Sequence, residues 1–205
     1  MRFLLLALFI CLQSYSWAGE LRDRIVCTAP TDASRTAAAG EKIYESENPK
    51  AAANLTYKMP ELDYSNGDRT IRQVRYVPDV SLAAFGGWLL GDNRGEWGGE
   101  LLFRPSKGKD VVLEQDNIKD IYVMPFGIVA TAGLAHMSAN HGLVYLVGMS
   151  PKGAPVSRRL HGLPGAPRSS WLLNTGELLI NTTDGSVLLK NDASLAPVKC
   201  LSTEP

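Results

Sequence analysis

The chain has 205 residues, 45% of them hydrophobic, and its 21 Lys and Arg are balanced by 21 Asp and Glu. That balance leaves no basic excess for nucleic acid or an anionic membrane surface, and no Lys/Arg stripe stands out. The apolar content suffices for one well-buried domain.

At the N-terminus, Arg2, the apolar stretch from Phe3 to Leu12 and the small-x-small triplet Ser16-Trp17-Ala18 read as an export leader over residues 1–18. An apolar stretch of about ten residues is too short to cross a bilayer as a helix, and no later segment is long and apolar enough, so membrane insertion is not expected. Lipid attachment at Cys11 is the competing reading, but "LFIC" matches a lipidation box poorly and cleavage there would leave almost no apolar segment upstream. Loss of the leader removes Cys11 and leaves Cys27 and Cys200 as the only thiols of a periplasmic or secreted protein, where they are expected to form a disulfide that ties the chain ends together.

Residues 19–69 are rich in Ala, Lys and Glu and are broken by Pro49 and Pro60, a pattern that suits an irregular arm or a degenerate blade with room for one short helix. Beyond residue 70 a repeat emerges. "GELLFRP", "GLVYLV" and "GSVLLK" begin at Gly99, Gly142 and Gly185, evenly spaced by about 43 residues, the period of a four-stranded propeller blade.

Each repeat divides into four short strands separated by turn residues. The first (70–116) reads "IRQVRYV", "GGWLLGD", "GELLFRP", "DVVLEQD"; the second (117–162) "IKDIYVMP", "GIVATAGLA", "GLVYLVGM", "APVSRRLHG"; the third (163–205) "RSSWLLN", "GELLINT", "GSVLLKN", "APVKCLS". The expected fold is all-β, a small or partial propeller-like array of four-stranded blades with an irregular N-terminal arm; a β-sandwich or irregular barrel is the alternative. Three blades do not comfortably close a ring. Residues 19–69 must therefore cover an open edge, supply a fourth blade, or leave an edge for a partner.

Across residues 70–201 the three repeats resemble the blades of β-propeller proteins. They carry neither the Gly-His and Trp-Asp signatures of WD repeats nor the Ala-x-Asp-x-x-x-Gly-x-x-x-Trp pattern of quinoprotein dehydrogenases, so the resemblance extends to architecture and implies no activity. It does imply a clasp between the two ends of the chain, which a Cys27–Cys200 bond would supply.

The loop between second and third strands is "GDNRGEWGG" in the first repeat, "GLAHMSANHG" in the second and "NTTDG" in the third. Equivalent loops of a propeller emerge on one rim, which would gather Asp92, Asn93, Arg94, Glu96, Trp97, His136, Ser138, Asn140, His141 and Asp184 as ligand-binding candidates. The competing reading packs Trp97 over a neighbouring blade and leaves the charged residues merely solvated. His136 and His141 have the spacing of half a zinc site, but two ligands do not make one, and no metal or other cofactor is expected. "SKGK" at Ser106–Lys109 has the Ser-x-x-Lys form of serine acyl-transfer enzymes, yet it reads as a β-turn and lacks the companion motifs. Arg158, Arg159 and Arg168 form a modest basic cluster near the connector to the third repeat.

No catalytic motif is present. The expectation is a non-enzymatic, exported binding protein that presents these loops to a protein or envelope ligand, with no nucleic acid as partner. The alternative is a secreted or periplasmic hydrolase or lyase of glycan or peptidoglycan, with or without a metal ion, working through Glu96, His136 and His141.

Overall fold

A computed structural model describes residues 24–26, 38–43, 54–63 and 70–201. The expected leader, Cys11 and Cys27 lie outside the described residues. In chain order the strands are β1 (Arg24–Val26), β2 (Glu41–Lys42), β3 (Tyr57–Asp63), β4 (Thr70–Tyr76), β5 (Val80–Ala84), β6 (Gly87–Gly91), β7 (Leu101–Pro105), β8 (Val111–Glu114), β9 (Ile118–Met124), β10 (Gly127–His136), β11 (Ala139–Met149), β12 (Pro155–Leu163), β13 (Pro167–Leu172), β14 (Leu178–Thr182), β15 (Gly185–Leu189) and β16 (Leu195–Leu201).

The architecture is all-β and propeller-like without closing a barrel. β5 to β8, β9 to β12 and β13 to β16 each form an antiparallel meander, hereafter blades 1 to 3. The first strands lie together, β9 contacting both β5 and β13, while the last strands β8 and β12 meet on the outside. Blades 2 and 3 follow the strand division expected from the sequence.

Blade 1 differs. "IRQVRYV" does not open it: β4 pairs with β3 in a separate two-stranded sheet, and "VSLAA" of β5 takes the first position. The reason is burial. A first strand is enclosed on both faces, and Val80, Ser81 and Leu82 are buried consecutively, whereas Ile71 of β4 is 71% exposed. Pro78, without an N–H for a ladder, separates the two strands.

The blades stack face to face. Leu89, Leu101 and Phe103 of blade 1 meet Ile118, Ile121, Ala130 and Tyr145 of blade 2 in one cluster. Tyr122, Val129 and Val144 of blade 2 meet Leu178, Ile180 and Val187 of blade 3 in a second. The period-two alternation of a strand explains how blade 2 serves both neighbours, since Ala130 faces one and Val129 the other. In β9 the alternation would put Ile118 and Ile121 on opposite faces. A bulge corrects this: Ile118 pairs with Ala132, Asp120 with Thr131 and Ile121 with Ala130, so Lys119 is the extra residue and both isoleucines reach the same core.

The described residues of the N-terminal region cover edges and faces of the blades. Residues 38–43 run along the inner edges of two blades, with Gly40 N–H donating to Ile121 O (2.7 Å), Val123 N–H to Ala38 O (2.6 Å), and β2 pairing with β5. Lys42 there forms an ion pair with Asp120 (2.5 Å), whose other oxygen accepts from Ser170 Oγ (2.7 Å), joining β2, β9 and β13. β1 lies parallel to β16, with Ile25 opposite Cys200 and Val26 opposite Leu201, and covers the outer edge of blade 3. The β3–β4 hairpin closes the free face of blade 1 by packing Tyr57 against Leu90 and Leu102. The outer edge of blade 3, the inner edges of blades 1 and 2 and the free face of blade 1 are thus covered from within the chain.

Candidate functional site

The three loops joining second to third strands occupy one rim, and the hairpin of β10 and β11 stands in the middle. Its ladder sets Leu134 opposite His141 and His136 opposite Ala139, so both histidines share a face, and Asn140 takes the other. The histidine face looks to blade 1. His136 Nε2 lies 3.0 Å from Glu96 Oε2, and His141 Nε2 lies 3.4 Å from Asp116 Oδ1. Tyr145, four residues beyond His141 on the same face of β11, donates its hydroxyl to the other oxygen of Asp116 (3.2 Å). Burial, with the Asp116 charge beside it, raises the Tyr145 phenol.

The opposite face looks to blade 3. Asn140 Nδ2 donates to Asp184 Oδ2 (2.6 Å), while its Oδ1 accepts from Thr183 Oγ1 (2.7 Å) and from the Ala166 N–H (2.9 Å). The side chains of one hairpin therefore hold the three loops in register. Sequence position made the loops equivalent; hydrogen bonds make them one surface.

The blade 1 loop has its own scaffold, and it explains the glycines around Trp97. Gly95 (φ 61°) and Gly98 (φ 84°) take backbone conformations that side chains rarely adopt, bracketing a single 3-10 turn over Gly95–Trp97. At Gly99 a Cβ would sit 2.4 Å from Asp92 O and 2.6 Å from Asp116 O, so only hydrogen fits. Asn93 Oδ1 accepts the Gly95 N–H (3.0 Å), and its own N–H donates to Asp79 Oδ2 (2.7 Å). Asn117, only 3% exposed, braces the turn from the next blade: its Nδ2 donates to Gly95 O (2.8 Å) and its Oδ1 accepts the Arg94 N–H (3.0 Å).

Asp92 is turned inward. It is 2% exposed, and its carboxylate accepts from the Tyr57 hydroxyl (2.5 Å) and the Glu100 N–H (2.5 Å), with Arg94 Nε 3.1 Å away. Arg94 in turn lies over the Tyr76 ring, 5.4 Å from its centroid. Burial raises the Asp92 carboxyl above its ordinary range, against the lowering effect of the Tyr57 hydrogen bond and Arg94. Glu100 is raised by burial as well, again opposed by Arg94. Burial and the adjoining Asp92 carboxylate push the Tyr57 phenol up. Asp92 and Arg94 thus hold the base of the loop to the β3–β4 hairpin, and the face offered to solvent consists of Glu96, Trp97, His136, Asn140, His141 and Asp184, with Ser138 at the hairpin turn. No family model, curated protein or solved structure matches the chain.

Trp97 is 81% exposed, so it does not pack over a neighbouring blade. Met137, at the tip of the central hairpin and 94% exposed, was not singled out by its sequence context. Its φ of 49° places a side chain where glycine or asparagine is preferred. Asn117, Asp116, Tyr57 and Tyr145 were also silent in the sequence, because each acts on a loop of another element. Each histidine has its own carboxylate, and among the described residues no group of three or more His, Cys, Asp or Glu converges to hold a metal ion. The two rim histidines have carboxylates as their partners, Glu96 for His136 and Asp116 for His141.

The brace makes a prediction. Asn117→Ala should cost about 1–3 kcal/mol by removing two hydrogen bonds that tie the turn to blade 2, although the Arg94 N–H keeps Gly98 O (2.8 Å) and Gly95 O keeps the Gly98 N–H (3.1 Å). Urea denaturation measures the loss, and hydrogen exchange should be faster at the Arg94 amide than in the β14–β15 ladder.

Proposed function

We propose that the chain is an exported, non-enzymatic interaction protein whose loop rim engages a protein or envelope ligand, with residues 1–18 as its leader and Cys27 joined to Cys200. The observation that carries the reading is Trp97: an 81% exposed indole on a turn whose backbone is held by Asn93, Asp79 and Asn117. An aromatic side chain fixed in solvent on a rigid base is pre-organised for burial, and burying it recovers about 1.5–3 kcal/mol that folding leaves unused. Met137 repeats the pattern one blade away. Around them Glu96, His136, Asn140, His141 and Asp184 form the polar surround typical of a specific interface.

The disulfide reading draws support from the parallel pairing of β1 with β16, which brings Val26, the neighbour of Cys27 in sequence, opposite Leu201, the neighbour of Cys200. Among the described residues no helix is long and apolar enough to cross a membrane.

The test is retention of partners from a native envelope extract on immobilised protein. A Trp97→Ala/Met137→Ser variant that melts like wild type should retain its partner about 10- to 100-fold less well, the size expected when an aromatic anchor is removed. Equal retention by the two proteins would contradict the reading.

A further inference from the structure

On the rim opposite Trp97, the first-to-second-strand turns of blades 1 and 2 and the adjoining ends of β11 and β12 line a cleft of ≈ 390 Å³ that the proposed interaction does not use. Its walls are apolar: Phe85, Val123, Phe126, Met149 and Val156 line it, and Arg158 is the only charged residue among the lining groups. All of these except the half-buried Phe126 are exposed to some degree at the surface, which is unusual for so many large apolar groups around one depression. Phe85 is the most informative. With Gly86 it forms a tight hairpin turn at φ 54° and 73°, positions that favour Asn-Gly, yet a phenylalanine is held there with its ring edge-on to Phe103 at 6.5 Å.

Arg158 pairs through its backbone with β11, and its guanidinium makes no hydrogen bond or ion pair among the described residues. An apolar trough with one unneutralised guanidinium at its wall is complementary to a single-chain amphiphile bearing one negative charge. The geometry points to a binding site for a medium-chain carboxylate, with the acyl chain along Phe126, Leu146 and Val156 and the carboxylate on Arg158, which shares with Leu146 and Gly148 one face of the blade 2 sheet. One guanidinium presents a fork that matches one carboxylate through two parallel hydrogen bonds. A phosphomonoester, with nearly two charges, would leave part of its charge unpaired here. The volume lies toward the lower end of the usual range for small-ligand sites, roughly 300–1,000 Å³, which suits a chain of medium length and not a two-chain lipid.

Gly148 lines the cleft in β11, and a Cβ built on it meets nothing within 4 Å, so a larger side chain can grow into the space without displacing the strand. Calorimetric titration of the full chain with decanoate, below the concentration at which it forms micelles, should show saturable binding to one site. Decyltrimethylammonium, with the same chain and the opposite charge, should bind at least about tenfold more weakly, and Arg158→Gln should weaken decanoate by about tenfold. Gly148→Leu should abolish decanoate binding while melting like wild type. The proposal is overturned by absence of saturable binding, by equal affinity for the two decyl compounds, by an Arg158→Gln variant that binds decanoate as wild type does, or by tighter binding of decyl phosphate than of decanoate.

Discussion

Asp92→Ala is expected to destabilise the protein by about 3–5 kcal/mol, the range for removing one member of a buried charged network. The carboxylate is where three segments meet: the Tyr57 hydroxyl comes from the β3–β4 hairpin, the Glu100 N–H from the strand side of the loop, and Arg94 from the loop itself. Alanine leaves the Tyr57 hydroxyl and the Glu100 N–H without their acceptor and removes the carboxylate beside Arg94, and Tyr57 anchors the small cluster that closes blade 1. The midpoint of urea unfolding reads the loss, and a variant within about 1 kcal/mol of wild type would contradict the role assigned to Asp92.

The same group has a pH signature. Its folded-state pKa is raised above the ordinary 3.8, chiefly by burial. Its contribution to stability is therefore fully present below that ordinary value and is lost as pH rises through the raised one. Glu100, raised in the same direction, adds to the effect. Asp92→Asn removes one titrating carboxyl while keeping an acceptor, so the stability of this variant relative to wild type should improve as pH rises from about 4 toward neutrality. Parallel curves for the two proteins would show that Asp92 does not titrate as its burial requires.

Reduction of the proposed Cys27–Cys200 bond should have an effect of similar size. The bond would close most of the chain into one loop, for which the chain-entropy model sets an upper figure of roughly 5 kcal/mol. In a protein of this length that corresponds to a fall in melting temperature on the order of 10 °C. The expected physical loss is local as well: β1 is a three-residue strand on the outer edge of blade 3, too short to persist without a tie. Intact protein from its native compartment should show no titratable thiol when denatured without reductant. Two thiols would remove the clasp.

The repeat was legible because its signal is periodic. A glycine followed by a run of apolar residues recurs at equal steps, and each run became the third strand of a blade, β7, β11 and β15. β5 was not legible, because "VSLAA" offers five small or mixed residues with no alternation, and a strand buried on both faces has none to show. The work of residues 38–43 was hidden for a different reason. Pairing along two inner edges is decided by backbone groups of β5 and β9, distant in sequence, while Ala39, Gly40 and Glu41 carry no strand preference of their own.

The candidate site divides along the same line. That the three loops share a rim followed from their equivalent places in the repeat. That His136 and His141 face blade 1 while Asn140 faces blade 3 follows from strand register, which only the paired structure reveals. Asp92 and Glu96, four residues apart in one glycine-rich loop, look alike in sequence; one is enclosed and the other is exposed, because the loop folds back where Gly98 and Gly99 allow it. Met137 is not legible, since a methionine between histidine and serine reads as ordinary hairpin, and its exposure comes from its place at the tip of the longest hairpin in the described residues.

The most direct measurement of the rim's role is site-specific photocrosslinking in the native compartment, with the photoreactive residue placed at position 97, at 137, or at 107 in the β7–β8 turn on the opposite rim. Positions 97 and 137 should yield the same discrete adduct, and position 107, equally open to solvent, should yield none. An adduct of equal intensity at position 107, or none at 97 and 137 in protein that is folded and exported, would contradict the assignment of the second-to-third-strand loops as the interaction surface.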